Sequence, residues 1–200
     1  MKEQFLNLAK QRRSIYALGR NVTASEDDIA SLIKETVKWV PTTFNNQSTR
    51  AVILFGANHE KLWDIVGQRL KSEVPTEEAY QKTLQKINAF KSAFGTVMFY
   101  TDMDVVHQSE NNFALYADNF ADWAEQGQGI AQFAVWTALA ENGLGANLQH
   151  YNPLIDDLVR DAFDIPKNWK LRAEMDFGSI EAPAGDKAFM SDEDRFKVLK

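Results

Sequence analysis

The sequence contains no cysteine. Disulfides, thiolate metal sites, iron–sulfur clusters and cysteine nucleophiles are therefore excluded, and nothing in the composition asks for an oxidising compartment. Histidine is scarce: His59, His107 and His150 stand alone, without HExxH or HxH spacing, and no acid-rich calcium loop occurs. Neither a GxSxG elbow nor a P-loop is present. Gly127-Gln128-Gly129 lacks the third glycine of a dinucleotide fingerprint and has no strand before it. Long apolar runs are missing too. No window approaches the ~18 residues of a membrane-spanning helix, and the opening MKEQFLNLAKQRRS lacks the apolar run of a signal peptide. Repeats, low-complexity segments and Pro/Gly/Ser-rich linkers are absent. An enzyme with these absences must lean on a bound cofactor.

What remains is an ordinary globular composition: 200 residues, 44% apolar and 25% charged. A chain of this length buries roughly 70% of its unfolded surface and needs no staple. A single domain over residues 1–200 is expected, in a reduced, cytoplasmic setting. The net charge of −6 disfavours a general nucleic-acid or anionic-membrane surface.

Periodicity supplies the elements. Phe5, Leu6, Leu8 and Ala9 predict a helix from Lys2 to about Arg12. Ser25-Glu26-Asp27-Asp28 forms a capping box with Asp in place of Glu. Ile29, Leu32, Ile33 and Val37 continue it as an amphipathic helix to about Lys38, which Pro41 stops. Ala51 to Phe55 reads as a buried strand, and Leu62, Ile65, Val66 and Leu70 as a helix. Pro75-Thr76-Glu77-Glu78 starts another helix. Thr96 to Thr101 is a strand by its β-branched and aromatic content. Phe113, Tyr116, Phe120 and Trp123 predict one aromatic helix face. Gly127 to Asn142 is almost free of charge and apolar all round, which predicts a helix buried all round. Ala146 to Gln149 reads as a short strand or loop. Asn152-Pro153 is expected to cap a helix carrying Ile155, Leu158, Val159 and Ala162. Lys170 to about Gly178 alternates as a strand, and about 180–200 forms an extended arm. The lack of strict βαβ alternation points to α+β.

Three stretches could carry chemistry. Arg12-Arg13-Ser14 offers two forked guanidiniums and a hydroxyl, a set suited to a phosphate. Basic residues also favour helix C-termini through the dipole. Pro41-Thr42-Thr43-Phe44-Asn45-Asn46-Gln47-Ser48-Thr49 is a dense run of neutral donors and acceptors between Lys38 and Arg50. It can read a heteroaromatic ring edge, or simply make turn and cap bonds. Asn147-Leu148-Gln149-His150-Tyr151-Asn152 suits a ligand wall, with packing as the plainer reading. The aromatic set at 113–123 reads as core or subunit packing before substrate contact.

Taken in order, Arg12-Arg13-Ser14, Pro41-Thr42-Thr43-Phe44-Asn45-Asn46-Gln47 and Gly143-Leu144-Gly145-Ala146 resemble the flavin-dependent nitroreductase family. Arg12 to Gly19 and Asn147 to Pro153 are similar to the small nitroreductase-like subgroup related to the yeast fatty-acid-repression protein. The resemblance implies an α+β homodimer, a mostly antiparallel sheet flanked by helices, with FMN at the subunit interface. It assigns Arg12, Arg13 and Ser14 to the phosphate and ribityl end. Thr42, Thr43, Asn45 and Gln47 would reach the flavin partly from the other subunit, and Leu148, Gln149 and His150 would lie along its ring. The family's C-terminal Lys-x-Arg appears as Lys187-Ala188-Phe189, keeping Lys187 and losing the arginine; Arg195 is a candidate replacement. Tyr16 stands where the family often has a basic residue.

The activity implied is a ping-pong transfer of electrons from NAD(P)H to nitroaromatic or quinone acceptors, in an oxidative-stress setting. No side-chain catalyst and no metal are needed. A non-catalytic flavin-binding regulatory or stress-linked protein is the second reading, and a cofactor-free structural dimer the third.

Overall fold

The computed structural model describes residues 2–200. In chain order these form α1 (Gln4–Gln11), β1 (Leu18–Gly19), α2 (Glu26–Trp39), β2 (Thr49–Phe55), α3 (Gly56–Leu70), α4 (Glu77–Lys91), β3 (Gly95–Asp102), α5 (Met103–Asn112), α6 (Phe120–Glu141), β4 (Gly145–Gln149), α7 (Asp156–Phe163), β5 (Trp169–Ile180) and α8 (Asp192–Arg195). All five strands join one antiparallel sheet. β5 pairs with β1, β3 and β4, and β2 lies outside β3. The α+β, antiparallel expectation is met.

Helices cover both faces of the sheet. Trp63 and Val66 of α3, Phe90 of α4 and Val159 of α7 pack with Met98, Tyr100 and Leu171 on one face. Ile29 and Ile33 of α2 and Val135 and Leu139 of α6 pack with Val97, Phe99, Met175 and Phe177 on the other. β3 is therefore buried along its whole length, as a strand apolar on both sides must be. The register shifts opposite Phe99 and Tyr100, which pair with Ala173 and Leu171 and leave Arg172 as the extra residue. This bulge turns Leu171 to the opposite face from Ala173, Met175 and Phe177.

Local signals place several boundaries correctly. Ser25 accepts from Asp28 N–H at 3.1 Å and caps α2, and Thr76 accepts from Ala79 N–H at 3.2 Å and caps α4. Four expectations need correction. The strand at 51–55 is half-buried rather than buried, because β2 is a sheet edge with only Leu54 enclosed. The aromatic face at 113–123 is not one helix. α5, absent from the sequence reading, ends at Asn112, and a 3-10 segment, Ala114–Asn119, precedes α6. The 127–142 helix is not buried all round in the protomer, since Ile130 and Phe133 remain 43% and 37% exposed. Asn152-Pro153 caps no helix. It sits in a turn, and α7 begins after Ile155.

One polar group lies deep in the first core. His59 is fully enclosed, with Nδ1 2.8 Å from Thr96 Oγ1 and Nε2 3.1 Å from the Lys91 carbonyl. A carbonyl only accepts, so Nε2 carries the proton and Nδ1 accepts from the Thr96 hydroxyl. That hydroxyl also accepts from Trp63 Nε1 at 3.1 Å. The neutral ring fits this net. Burial pushes the His59 pKa down to about 4 from 6.5.

The unfolded chain therefore binds a proton at His59 that the folded one refuses between those two values. Its contribution is complete above about 6.5 and is lost as pH falls through about 4. Denaturant unfolding of His59→Asn and the wild type between pH 4 and 7 tests this. The variant is expected to be weaker at pH 7 by about 1–3 kcal/mol, and the gap should narrow in acid. A gap that does not change with pH would rule out this assignment.

Candidate cofactor site

The first candidate stretch follows α1 directly. Arg12 closes that helix, and Ile15 N–H donates to the Ala146 carbonyl at 2.9 Å, laying Ser14 beside β4. The C-terminal arm returns to the same place. Arg13 Nη2 donates to the Gly185 carbonyl at 2.7 Å. Between them lies an open cleft of about 540 Å³ lined by Arg12, Arg13, Ser14, Tyr16 and Lys187, with Asp186 as its carboxylate. Arg12 lies 4.5 Å over the Trp136 ring of α6, and its buried Nε has no partner among the described residues. Burial, then the neighbouring Arg13 charge, lowers the Arg12 pKa. Two guanidiniums, an ammonium and a hydroxyl outweigh one carboxylate here, and the orphaned Nε awaits an acceptor. An anion fits this donor set. Arg195 belongs to the short α8 and lies over the Phe196 ring, outside the cleft lining.

The second stretch is a strained loop. Phe44, Asn45 and Gln47 all take left-handed backbone angles, φ 51°, 52° and 53°, at about 1–3 kcal/mol each. Inside the loop, Thr42 Oγ1 accepts from Gln47 N–H at 2.9 Å and Asn46 Oδ1 from Ser48 N–H at 3.2 Å. Asn46, not Asn45 or Gln47, serves the turn. Asn45 and Gln47 are exposed, so their amides are available to something outside the protomer. Thr43 is half-buried. Phe44 stacks 4.4 Å from Phe113 and joins Tyr116, Phe120 and Trp123 in one aromatic cluster. The aromatic residues at 113–123 thus gather in space although they do not share one helix.

The third stretch divides by face. Leu148 packs into the α2–α6 core, His150 is exposed, and Gln149 turns inward. Gln149 Nε2 donates to Asn147 Oδ1 at 2.6 Å. Asn147 Nδ2 donates to the Ile15 carbonyl at 2.8 Å and to Asp176 Oδ2 at 3.1 Å. This net ties β4 to the Arg-Arg-Ser stretch. Glu174 Oε2 accepts from Tyr151 N–H at 3.0 Å. Glu174 and Asp176 are fully buried, and each keeps one oxygen without a partner among the described residues. Burial pushes Glu174 up to about 8, opposed by the Tyr151 bond and helped by Asp156; burial also drives Asp176 well above its ordinary value. Burial, then the Glu174 charge, raises Tyr151 to about 12.

The structure therefore joins Arg12, Arg13, Ser14 and Lys187 in one cleft, with Leu148 and Gln149 on the adjoining strand and His150 just past its end. Thr42, Thr43, Asn45 and Gln47 form a separate place beside α5 and α6 in the same protomer. Sequence reasoning missed Trp136 under Arg12, Asn147 as the hub, and the Glu174–Asp176 pair. Carboxylates alternating with apolar residues along the predicted strand from Lys170 to about Gly178 were the available signal for that pair.

The chain is similar to known proteins along nearly its whole length. The model of the nitroreductase family matches residues 9–179. The Saccharomyces cerevisiae protein HBN1 is 37% identical over 191 residues, 94% of each chain. FRM2 of the same yeast, described as a nitroreductase, is 35% identical over 94% of this chain and 93% of its own. The structure of nitroreductase CinD from Lactococcus lactis in complex with nicotinic acid superposes with a TM-score of 0.92. It shares 53% identity over 98% of this chain and 100% of its own. No helix among the described residues is long and apolar enough to cross a membrane.

Glu174 gives a pH test of the buried net. The folded chain holds a proton there up to about 8, whereas the ordinary value is 4.5. Its contribution to stability is complete below about 4.5 and is lost as pH rises through about 8. Glu174→Gln should therefore gain on the wild type as pH rises across that window, by at most about 1.4 kcal/mol per pH unit. Urea unfolding at three pH values within the window reads the slope, and a flat difference would contradict a buried titrating carboxyl.

Proposed function

The chain belongs to the nitroreductase family, and from that we propose that it is an FMN-dependent oxidoreductase passing electrons from NAD(P)H to nitroaromatic or quinone acceptors. CinD, the structural relative, has been seen with nicotinic acid, 4-nitrophenol and chloramphenicol, which supports flat aromatic acceptors here. The cleft is the observation that carries the reading. Its donors exceed its one carboxylate, and Arg12 Nε is buried without a partner among the described residues. Arg12, Arg13, Ser14 and Lys187 would hold the phosphate. The sequence leaves one family arginine out, and the Gly185 carbonyl, which accepts from Arg13, helps fix the remaining guanidinium.

Thr42, Thr43, Asn45 and Gln47 would meet the ring edge of a flavin bound mainly by the other chain. Their separation from the cleft within one protomer supports a shared site. Leu148 and His150 would line the ring. Gln149 would act through its main chain, since its side chain donates inward to Asn147. The homodimer that a shared site needs is supported by the exposed apolar stripe of Phe5, Leu6, Ile130 and Phe133. FMN, when bound, supplies the reversible two-electron chemistry. The chain's residues would hold it and aim neutral donors at its ring. The same reading takes residues 1–200 as one domain, places the protein in the cytoplasm and ties it to oxidative stress.

The absorption spectrum of the purified protein, with and without NADH and a nitroarene or quinone, tests the activity. A yellow protein bleached by NADH and recoloured by an acceptor is expected. A yellow protein that NADH cannot reduce would favour the regulatory reading instead. For the phosphate end, Arg12→Ala or Arg13→Ala should weaken FMN roughly tenfold to a hundredfold and leave riboflavin little changed. Equal loss of both ligands would move the arginines away from the phosphate. For the shared site, a mixed dimer can carry Arg12→Ala with Arg13→Ala on one chain and Asn45→Ala with Gln47→Ala on the other. If each site draws on both chains, half the flavin still binds tightly. If each site belongs to one chain, no tight fraction survives in an intact dimer.

A further inference from the structure

A loop with three left-handed residues, none of them glycine, keeps its shape only where its surroundings over-determine it. The bonds from Gln47 N–H to Thr42 and from Ser48 N–H to Asn46 shape the loop internally, but they do not fix where it sits. Two side-chain ties run outward. Asn46 Nδ2 donates to Ser109 Oγ of α5 at 3.2 Å, and that hydroxyl donates to the Val105 carbonyl at 2.8 Å. Arg50 makes the second and stronger tie. Its Nη1 donates to the Gln47 carbonyl at 2.5 Å and its Nη2 to Asp102 Oδ2 at 2.8 Å. The guanidinium also lies 5.7 Å from the Trp169 ring centre.

Asp102 is a fixed anchor. Its side chain is 10% exposed, its Oδ1 accepts from Asn168 Nδ2 at 2.7 Å and from Asp104 N–H at 3.2 Å, and its own N–H donates to the Ser48 carbonyl at 2.8 Å. The carboxylate thus belongs at once to the end of β3, the first turn of α5 and the start of β5. A guanidinium presents two donors in a rigid fork, and one ammonium cannot reproduce that geometry.

We propose that Arg50, seated on Asp102, is a positioning residue for flavin binding: it pins the Gln47 carbonyl and so sets the pose of the Asn45 and Gln47 amides. This rests on the loop's role as the ring-edge wall put forward above. The clamp acts at the ring end of the ligand, so it makes no distinction between FMN and riboflavin. Arg12 and Arg13, at the phosphate end, do make one.

Flavin titration of the full-length, flavin-stripped protein, followed by fluorescence quenching, separates the possibilities. Arg50→Lys keeps the charge and loses the fork. It should weaken FMN and riboflavin by the same factor, about tenfold, with the melting midpoint of the flavin-free protein nearly unchanged. Asp102→Asn should also weaken both ligands by one factor, with a lower melting midpoint because Asp102 also caps α5, and combining the two should cost no more flavin affinity than the larger single loss, because they break one clamp. Asn45→Ala with Gln47→Ala is measured alongside. If that pair weakens both ligands and Arg50→Lys weakens neither, the clamp is wrong while the loop's role stands. If the pair leaves both affinities untouched, the ring-edge role falls and the clamp with it. If Arg50→Lys lowers flavin affinity only in step with the melting midpoint of the flavin-free protein, Arg50 is structural and the proposal fails.

Discussion

Strand β5 is hydrogen-bonded to three of the other four strands and covered by helices on both faces. Every polar side chain on its buried length must find a partner inside the protein or give up its charge. Glu174 and Asp176 do both in part: one oxygen of each is bonded, the other has no partner among the described residues, and burial favours the protonated form. Asp176 reaches through its partner to the stretch that lines the cleft. Asp176 holds Asn147, Asn147 holds the Ile15 carbonyl, and Ile15 follows Ser14. The Arg-Arg-Ser stretch is thus tied, through two hydrogen bonds, to a carboxyl in the middle of the sheet.

The protomer leaves two kinds of surface unfinished. One is apolar and lies along α1 and α6, where Phe5 meets Phe133 edge-on at 6.2 Å and both remain open to solvent. The other is polar, the exposed amides of a loop kept in an unfavourable backbone shape. An isolated domain gains nothing from either. Both become intelligible if a second chain covers the first and a ligand meets the second.

Much of the architecture was legible because it follows from local chemistry. Ser25 and Thr76 cap where a side-chain oxygen three residues ahead of a free N–H predicts a cap. β3 was legible because a strand covered on both faces has no polar side to hide. What was not legible depended on partners distant in sequence. α5 has the polar sequence MDVVHQSENN and is capped by Asp102, which accepts its first N–H groups. The edge position of β2 and the opening of α6 to solvent depend on which elements lie alongside, which an apolar pattern does not state. The neutral-amide loop was legible as a dense run of uncharged donors and acceptors. Which of its amides serves the turn was not, since Asn45 and Asn46 are equivalent until the backbone turns left-handed at the first of them. The arginines and Lys187 came together as expected, whereas Trp136 beneath Arg12 has no signature that separates it from core packing.

The bond from Arg13 to the Gly185 carbonyl joins residues 172 apart in the chain. Synthesis at about 5–20 residues per second separates their appearance by roughly 9–35 seconds. Throughout that interval the nascent chain carries adjacent guanidiniums whose opposite wall has not yet been made. The wall that carries Arg12 and Arg13 therefore stays open until the arm at Gly185 has been made, and an anionic ligand held between the two cannot guide the folding of the elements synthesised before that arm.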